Sequence, residues 1–125
     1  MKLSIEKPGG IHLVRGYSAA GVRIDDRLYA ASVVVNATTV IEGWPPRAIS
    51  EATEADLQRV LELQPEILLL GTGRRQEFPP QPLLALLYGA RVGFEVMDTG
   101  AACRTYNVLV GEGRNVAAAL IVERD

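Results

Sequence analysis

The chain has 125 residues, 48% of them hydrophobic and 22% charged, and its formal net charge is −2. This length predicts one domain, with an N-terminal arm over residues 1–10 and a core over residues 11–122 that folds without a disulfide or a metal. The acidic balance argues against nucleic-acid binding. No membrane-spanning stretch or signal peptide is recognisable, so we expect a cytoplasmic protein whose oligomeric state the sequence leaves open.

The first half of the sequence predicts short β-strands separated by turns. Apolar and polar residues alternate over residues 11–17 and 22–28. The β-branched run 31–35 is typical of a strand buried on both faces. Another strand is expected over residues 40–44, which end at Trp44. The Trp44 ring has two open interpretations, a buried cap on the core or an exposed contact for a protein partner.

The second half predicts alternating helices and strands. Ser50 or Thr53 is a candidate N-cap of a first helix, Pro82 suits the first turn of a second, and Asp98 or Thr99 can cap a third. Such β-α alternation is typical of an α/β domain with a mostly parallel sheet and helices on its faces. The early strands either extend that sheet or form a smaller antiparallel patch.

Three strands of this sheet are predicted over residues 66–70, 92–97 and 116–122. A helical segment separates the first two, and a right-handed crossover places such strands side by side and parallel. We therefore expect residues 66–70 and 92–97 to be neighbouring parallel strands.

Glycine-containing loops follow both of these strands. Because carboxyl ends of parallel strands meet at one sheet edge, the loops 71–73 and 98–100 are expected to form a notch lined by backbone N–H groups. Nearby arginines would add positive charge for a small anionic ligand. The candidate ligand-binding residues are Gly71, Thr72, Gly73, Arg74, Asp98, Thr99, Arg104 and Asn107.

The same residues also have structural interpretations. Gln76 stands where a dinucleotide-binding fingerprint requires its third glycine, so a tight turn is the favoured interpretation of the first loop. A helix cap formed by Asp98 or Thr99 would contribute about 1 kcal/mol. Arg104 would then pair with Asp98 instead of binding a ligand.

Chemistry at Cys103 or at a metal ion is not predicted. The cysteine lies near the expected start of the third helix, beside Arg104, and both features lower a thiol pKa. A nucleophilic cysteine also needs a base, and the single histidine, His12, is distant in sequence. We expect a buried thiol, no catalytic residue, no metal and no cofactor.

The segments EVMDT (95–99), ACRTYNVL (102–109) and EGRNVAAAL (112–120), with the loop 71–73, carry a family resemblance. The sequence resembles, from about residue 11 to residue 120, the small single-domain family that includes mitochondrial respiratory complex I assembly factor 3. The resemblance implies a three-layer α/β domain around a mixed sheet whose last strand is antiparallel to the rest. It also implies no established catalytic residues.

Two functions follow as hypotheses from this resemblance and from the loops. The first is a protein-binding module that resembles an assembly factor and is not an enzyme. The alternative is a small anionic ligand-binding protein, or an enzyme, that uses the notch.

Overall fold

The computed structural model describes residues 10–123, so the predicted arm over residues 1–10 lies, except for Gly10, outside the described residues. The chain forms eight strands and three α-helices in the described part. In order these are β1 (Val14–Ser18), β2 (Gly21–Ile24), β3 (Arg27–Tyr29), β4 (Val33–Val35), β5 (Val40–Glu42), α1 (Glu54–Leu61), β6 (Ile67–Gly71), α2 (Gln81–Gly89), β7 (Gly93–Met97), α3 (Thr99–Gly111) and β8 (Val116–Leu120); a short 3-10 helix (Ile49–Glu51) precedes α1.

The strands form two sheets. β1, β2 and β3 make an antiparallel three-stranded sheet, and the larger sheet has the order β5-β4-β8-β6-β7. β6 and β7 are parallel neighbours, with Ile67 opposite Gly93 and Gly71 opposite Met97. The predicted pairing of these two strands is confirmed, and so is the mixed α/β class.

The implied antiparallel last strand is wrong. β8 runs parallel to β6, with Ile67 opposite Val116, and antiparallel to β4. Since β5 is antiparallel to β4 as well, β4 is the one strand of this sheet that opposes the other four. The physical reason is connectivity. Helical crossovers join β6 to β7 and β7 to β8 and keep them parallel, whereas β4 and β5 are joined by a short hairpin that reverses the chain.

The larger sheet is the middle layer between two hydrophobic cores. One core packs α3 and the three-stranded sheet against one face, and the other packs α1 and α2 against the opposite face. Successive residues of each strand serve different cores, since Leu69 belongs to the first while Leu68 and Leu70 belong to the second. This alternation explains why β4, β6 and β8 are apolar without interruption, and it gives the predicted three layers.

The helices begin as the sequence predicts. Thr53 and Asp56 form a capping box at α1, in which each side chain accepts the other residue's backbone N–H, at 3.1 and 3.0 Å. Pro82 lies in the first turn of α2. Trp44 is only 2% exposed, and its Nε1 donates to the Asp56 carbonyl at 3.0 Å. The buried-cap interpretation of Trp44 is therefore correct, and this ring is no surface contact.

Candidate functional site

The loops 71–73 and 98–100 meet at the carboxyl ends of β6 and β7, as expected. The Gly73 N–H donates to Thr99 Oγ1 and the Thr99 N–H donates to the Gly73 carbonyl, both at 2.8 Å. The same hydroxyl donates to the Ile121 carbonyl at 2.7 Å, just after β8. Thr99 is fully buried and joins the ends of three strands.

Several backbone donors of this notch are already used inside the protein. The Thr72 N–H donates to the Met97 carbonyl at 2.9 Å, and the Arg74 N–H donates to Glu123 Oε1 at 2.6 Å. Gly73 has a φ of 103°, and a Cβ there would lie 2.6 Å from the Glu123 side chain. The loops are therefore closed on themselves, and these N–H groups are turned to neighbouring protein atoms.

Asp98, and not Thr99, is the N-cap of α3. Its Oδ1 accepts the Ala101 N–H at 2.8 Å, while Thr99 is the first helical residue. The expected ion pair between Asp98 and Arg104 does not form among the described residues 10–123. Arg74 instead pairs with Glu123, with Nε and Oε1 3.9 Å apart.

Arg104 and Asn107 line a separate cleft of about 240 Å³ between α3 and β1. One wall is a single face of α3, because residues three and four apart lie on one side of a helix. The other wall is residues 14–17 of β1. The α3 residues on the cleft are Gly100, Cys103, Arg104 and Asn107. The structure thus brings two of the predicted site residues, Arg104 and Asn107, to one cleft, which Gly100 of the second loop also lines.

Asn107 holds β1 against α3. Its Oδ1 accepts the Val14 N–H at 2.9 Å, and its Nδ2 donates to the Val14 carbonyl at 2.7 Å. Val14 is buried, so these two hydrogen bonds satisfy backbone groups that water does not reach. The amide of Asn107 is consequently occupied by the protein itself.

Cys103 is buried at the floor of the cleft, as the sequence predicts. Burial raises the pKa of its thiol to about 12, and the Arg104 charge offsets only part of that effect. His12 does not act as its base: the His12 Nδ1 lies 2.6 Å from Asp25 Oδ2. The thiol is therefore neutral at physiological pH and contributes an apolar surface.

Sequence reasoning missed Arg15 and Tyr17, which line the β1 wall. The register of β1 against β2 shifts between Val14 and Gly16, so Arg15 occupies a β-bulge. Tyr17 is half-buried, and burial, followed by the Glu123 charge, raises the pKa of its hydroxyl. The sequence carries no signal for this cleft, because residues 15 and 104 become neighbours only when the small sheet packs on α3.

Within residues 10–123 no cluster of histidine, cysteine, aspartate or glutamate has a metal-binding arrangement. No helix of this described range is long and apolar enough to cross a membrane.

A family model described as a protein of unknown function (DUF498/DUF598) matches residues 14–121. The chain is 34% identical over 94 residues to the 13 kDa major membrane protein of Francisella tularensis, covering 74% of this chain and 76% of that protein. It is 32% identical over 122 residues to the mouse NADH dehydrogenase (ubiquinone) 1 alpha subcomplex assembly factor 3. That alignment covers 95% of this chain but only 64% of the mouse protein.

The fold has a solved counterpart in a Bordetella pertussis protein that is described as a Mth938-like domain. The TM-score is 0.81 at 29% sequence identity, and the match covers 100% of this chain and 94% of that one. The architecture described above is therefore an established one.

Proposed function

Because this chain belongs to the DUF498/DUF598 family and is similar to an assembly factor, we propose that it binds other proteins during assembly of a larger complex. The observation that carries the proposal is the extent of that similarity, which covers 95% of this chain. The similar region therefore includes both sheets and all three helices of the described range.

An exposed aromatic surface beside β7 supports a protein partner. Tyr88 and Phe78 are 72% and 74% exposed, and the Tyr88 ring packs edge-on against Phe94 at 5.2 Å between centroids. Aromatic side chains are enriched where proteins contact each other. We call Tyr88 and Phe94 the edge aromatic surface; Phe78 is a further exposed ring, on the segment between β6 and α2.

The backbone of β7 adds hydrogen-bonding groups to the edge aromatic surface. The Gly93 N–H and the Met97 carbonyl bond toward β6, so the groups of Phe94 and Val96 point away from the sheet. The Gln76 side chain donates to the Val96 carbonyl at 2.9 Å. The remaining outward groups suit an extended partner segment that adds as a strand.

The alternative function, binding or conversion of a small anionic ligand in the notch, has less support. Its ligand would need the N–H groups of Gly73 and Arg74, which are bonded to Thr99 and Glu123.

The proposed place of action is the cytoplasm. Fractionation of host cells tests this, and recovery in the membrane fraction would agree instead with the name of the Francisella relative.

The proposed function is tested by cross-linked capture from the native host with quantitative mass spectrometry. The wild-type chain is compared with a Phe78→Ser/Tyr88→Ser variant and with Val108→Ser, a control that removes an exposed apolar side chain from α3. We expect the wild type and the control to enrich subunits of one multisubunit complex, and the double variant to lose them. Failure of the wild type to enrich any such set above a tag-only control contradicts the assembly role.

A further inference from the structure

We propose that the cleft between β1 and α3 binds a small anion, whose phosphate or carboxylate group is held by Arg15 and Arg104. This proposal does not depend on the assembly role. Arg15 lines the cleft from β1 and Arg104 from α3, around a volume of about 240 Å³.

Both guanidinium groups are unpaired within the described range. Neither Arg15 nor Arg104 makes a hydrogen bond or an ion pair with a residue of the segment 10–123. Of the eight other arginines in the range 10–123, four also lack a side-chain partner and four have one. Arg23 donates to a backbone carbonyl, and ion pairs engage Arg27, Arg47 and Arg74. Arg15 and Arg104 are exposed, and they place two free guanidinium groups on one cleft.

The unengaged side chains of the cleft can all donate hydrogen bonds, and two of them are cationic. The Tyr17 hydroxyl is half-buried and bonds to no residue of the described chain. The Asn107 amide, which also carries an acceptor, is fully used by Val14. A ligand with acceptors and negative charge suits these groups, and charge-assisted bonds from arginine to phosphate or carboxylate are the strongest of this kind.

The remaining surface limits the size of the ligand. Val14 and the neutral Cys103 thiol form an apolar floor, and they are 6% and 5% exposed. The cleft is smaller than pockets for drug-sized ligands, which run from about 300 to 1,000 Å³. Inorganic phosphate or a short dicarboxylate fits this volume.

The nearest carboxylates are already engaged. Asp98 accepts the Ala101 N–H as the helix cap, and Glu123 accepts the Arg74 N–H and pairs with its side chain. Their charges reach Tyr17, where they add to the effect of burial in raising the pKa of the hydroxyl. Both carboxylates keep their negative charge, but neither forms an ion pair with Arg15 or Arg104 within residues 10–123.

The bulge in β1 lies at the edge of the small sheet, where bulges are common, and beside the cleft. β-Bulges re-aim side chains and are over-represented next to functional sites. The extra residue here is Arg15, which the shift in register takes out of the ladder. A regular strand in the same place would put residues 14 and 16 on one face and residue 15 on the other.

The test is titration of the isotopically labelled chain with inorganic phosphate and, separately, with succinate, followed by amide NMR. We expect saturable shifts confined to residues 14–17 and 100–107 with at least one probe. The stronger of the two probes identifies the head group. Arg15→Gln and Arg104→Gln should each weaken that binding about tenfold or more, because each removes a charge-assisted contact. Tyr17→Phe should weaken it several-fold.

Arg114→Gln is the matched control. Arg114 is exposed beyond the far end of α3, so this change alters net charge equally without touching the cleft. The Arg114→Gln variant should bind the anion with the same affinity as the wild type. The amide spectrum of each variant reports whether the fold is kept. The proposal is overturned if neither anion gives saturable shifts at tens of millimolar. It is also overturned if Arg114→Gln weakens binding as much as Arg104→Gln.

Discussion

Gly73 and Thr99 exchange two hydrogen bonds, each 2.8 Å long, across 26 residues of sequence. One bond uses the Thr99 hydroxyl and the other uses its backbone N–H. Because the hydroxyl also donates to the Ile121 carbonyl, a single buried oxygen connects the ends of β6, β7 and β8. The loops that the sequence nominates as a ligand notch are therefore a structural junction of the sheet.

Thr99→Val should destabilise the domain. The substitution keeps the shape of the side chain but leaves the Gly73 N–H and the Ile121 carbonyl without a partner in a buried place. We expect a loss of about 2–4 kcal/mol in the free energy of unfolding, measured by urea denaturation. Thr105→Val is the control, because the half-buried Thr105 hydroxyl bonds to no residue of the range 10–123. Equal stability of the Thr99→Val and Thr105→Val variants would contradict the structural role of the Thr99 hydroxyl at this junction.

Local patterns predicted much of the fold. The capping signals at Thr53 and Asp98 form in the structure because a cap involves residues only three positions apart. The parallel pairing of β6 with β7 follows from one helical crossover. The position of β8 between β4 and β6 is not local. Ala117 and Ala119 of β8 are small and apolar, which does not indicate a pairing partner. The pairing of β8 with β4 spans more than eighty residues of sequence.

The site was predicted less completely, for the same reason. The sequence predicts that Asp98 or Thr99 is the N-cap of a helix. Which of them caps α3 depends on the bond between the Thr99 hydroxyl and the Ile121 carbonyl, just after β8. Arg104 was identified as a candidate from its position on α3. Its neighbour Arg15 was not, because a β-bulge and a sheet packed on that helix bring the two together.

Cys103 should react slowly with maleimide at pH 7 in the folded protein. The residue is 5% exposed, and burial keeps its thiol protonated. Only the thiolate is a good nucleophile, so both exposure and ionisation limit the reaction. Mass spectrometry should find little labelling in native buffer and complete labelling in denaturant. Rapid native labelling would indicate a redox or nucleophilic role for this cysteine.

The same thiol should make the fold sensitive to alkali. Its pKa is about 12 in the folded protein against 9.0 as the reference value, so the folded state holds this proton more tightly. The stabilisation is complete below pH 9 and declines as the pH rises toward 12, by at most about 1.4 kcal/mol per pH unit. Urea denaturation between pH 8 and pH 10.5 measures this decline, and Cys103→Ala should flatten it. A variant with an unchanged slope would show that other groups, such as Tyr106, whose pKa burial also raises, cause the decline.

Asn107→Leu should separate the structural role of Asn107 from a role in ligand binding. The change removes both hydrogen bonds to Val14, at 2.9 and 2.7 Å, and leaves a buried N–H and a buried carbonyl unsatisfied. We expect a loss of about 2–3 kcal/mol in the free energy of unfolding. Asn107→Asp keeps the acceptor and loses the donor, so its loss should be intermediate near neutral pH. Urea denaturation of the three proteins gives this order.

Asn115→Leu is the control for this series. Asn115 is exposed, and its side chain donates to the Gln64 carbonyl at 3.0 Å, so water can replace that single bond. The loss in the free energy of unfolding for Asn115→Leu should therefore be well below that for Asn107→Leu. The opposite pattern is also informative. If Asn107→Leu kept full stability but lost the saturable shifts with phosphate or succinate, Asn107 would act on the ligand, and its contacts with Val14 would be secondary.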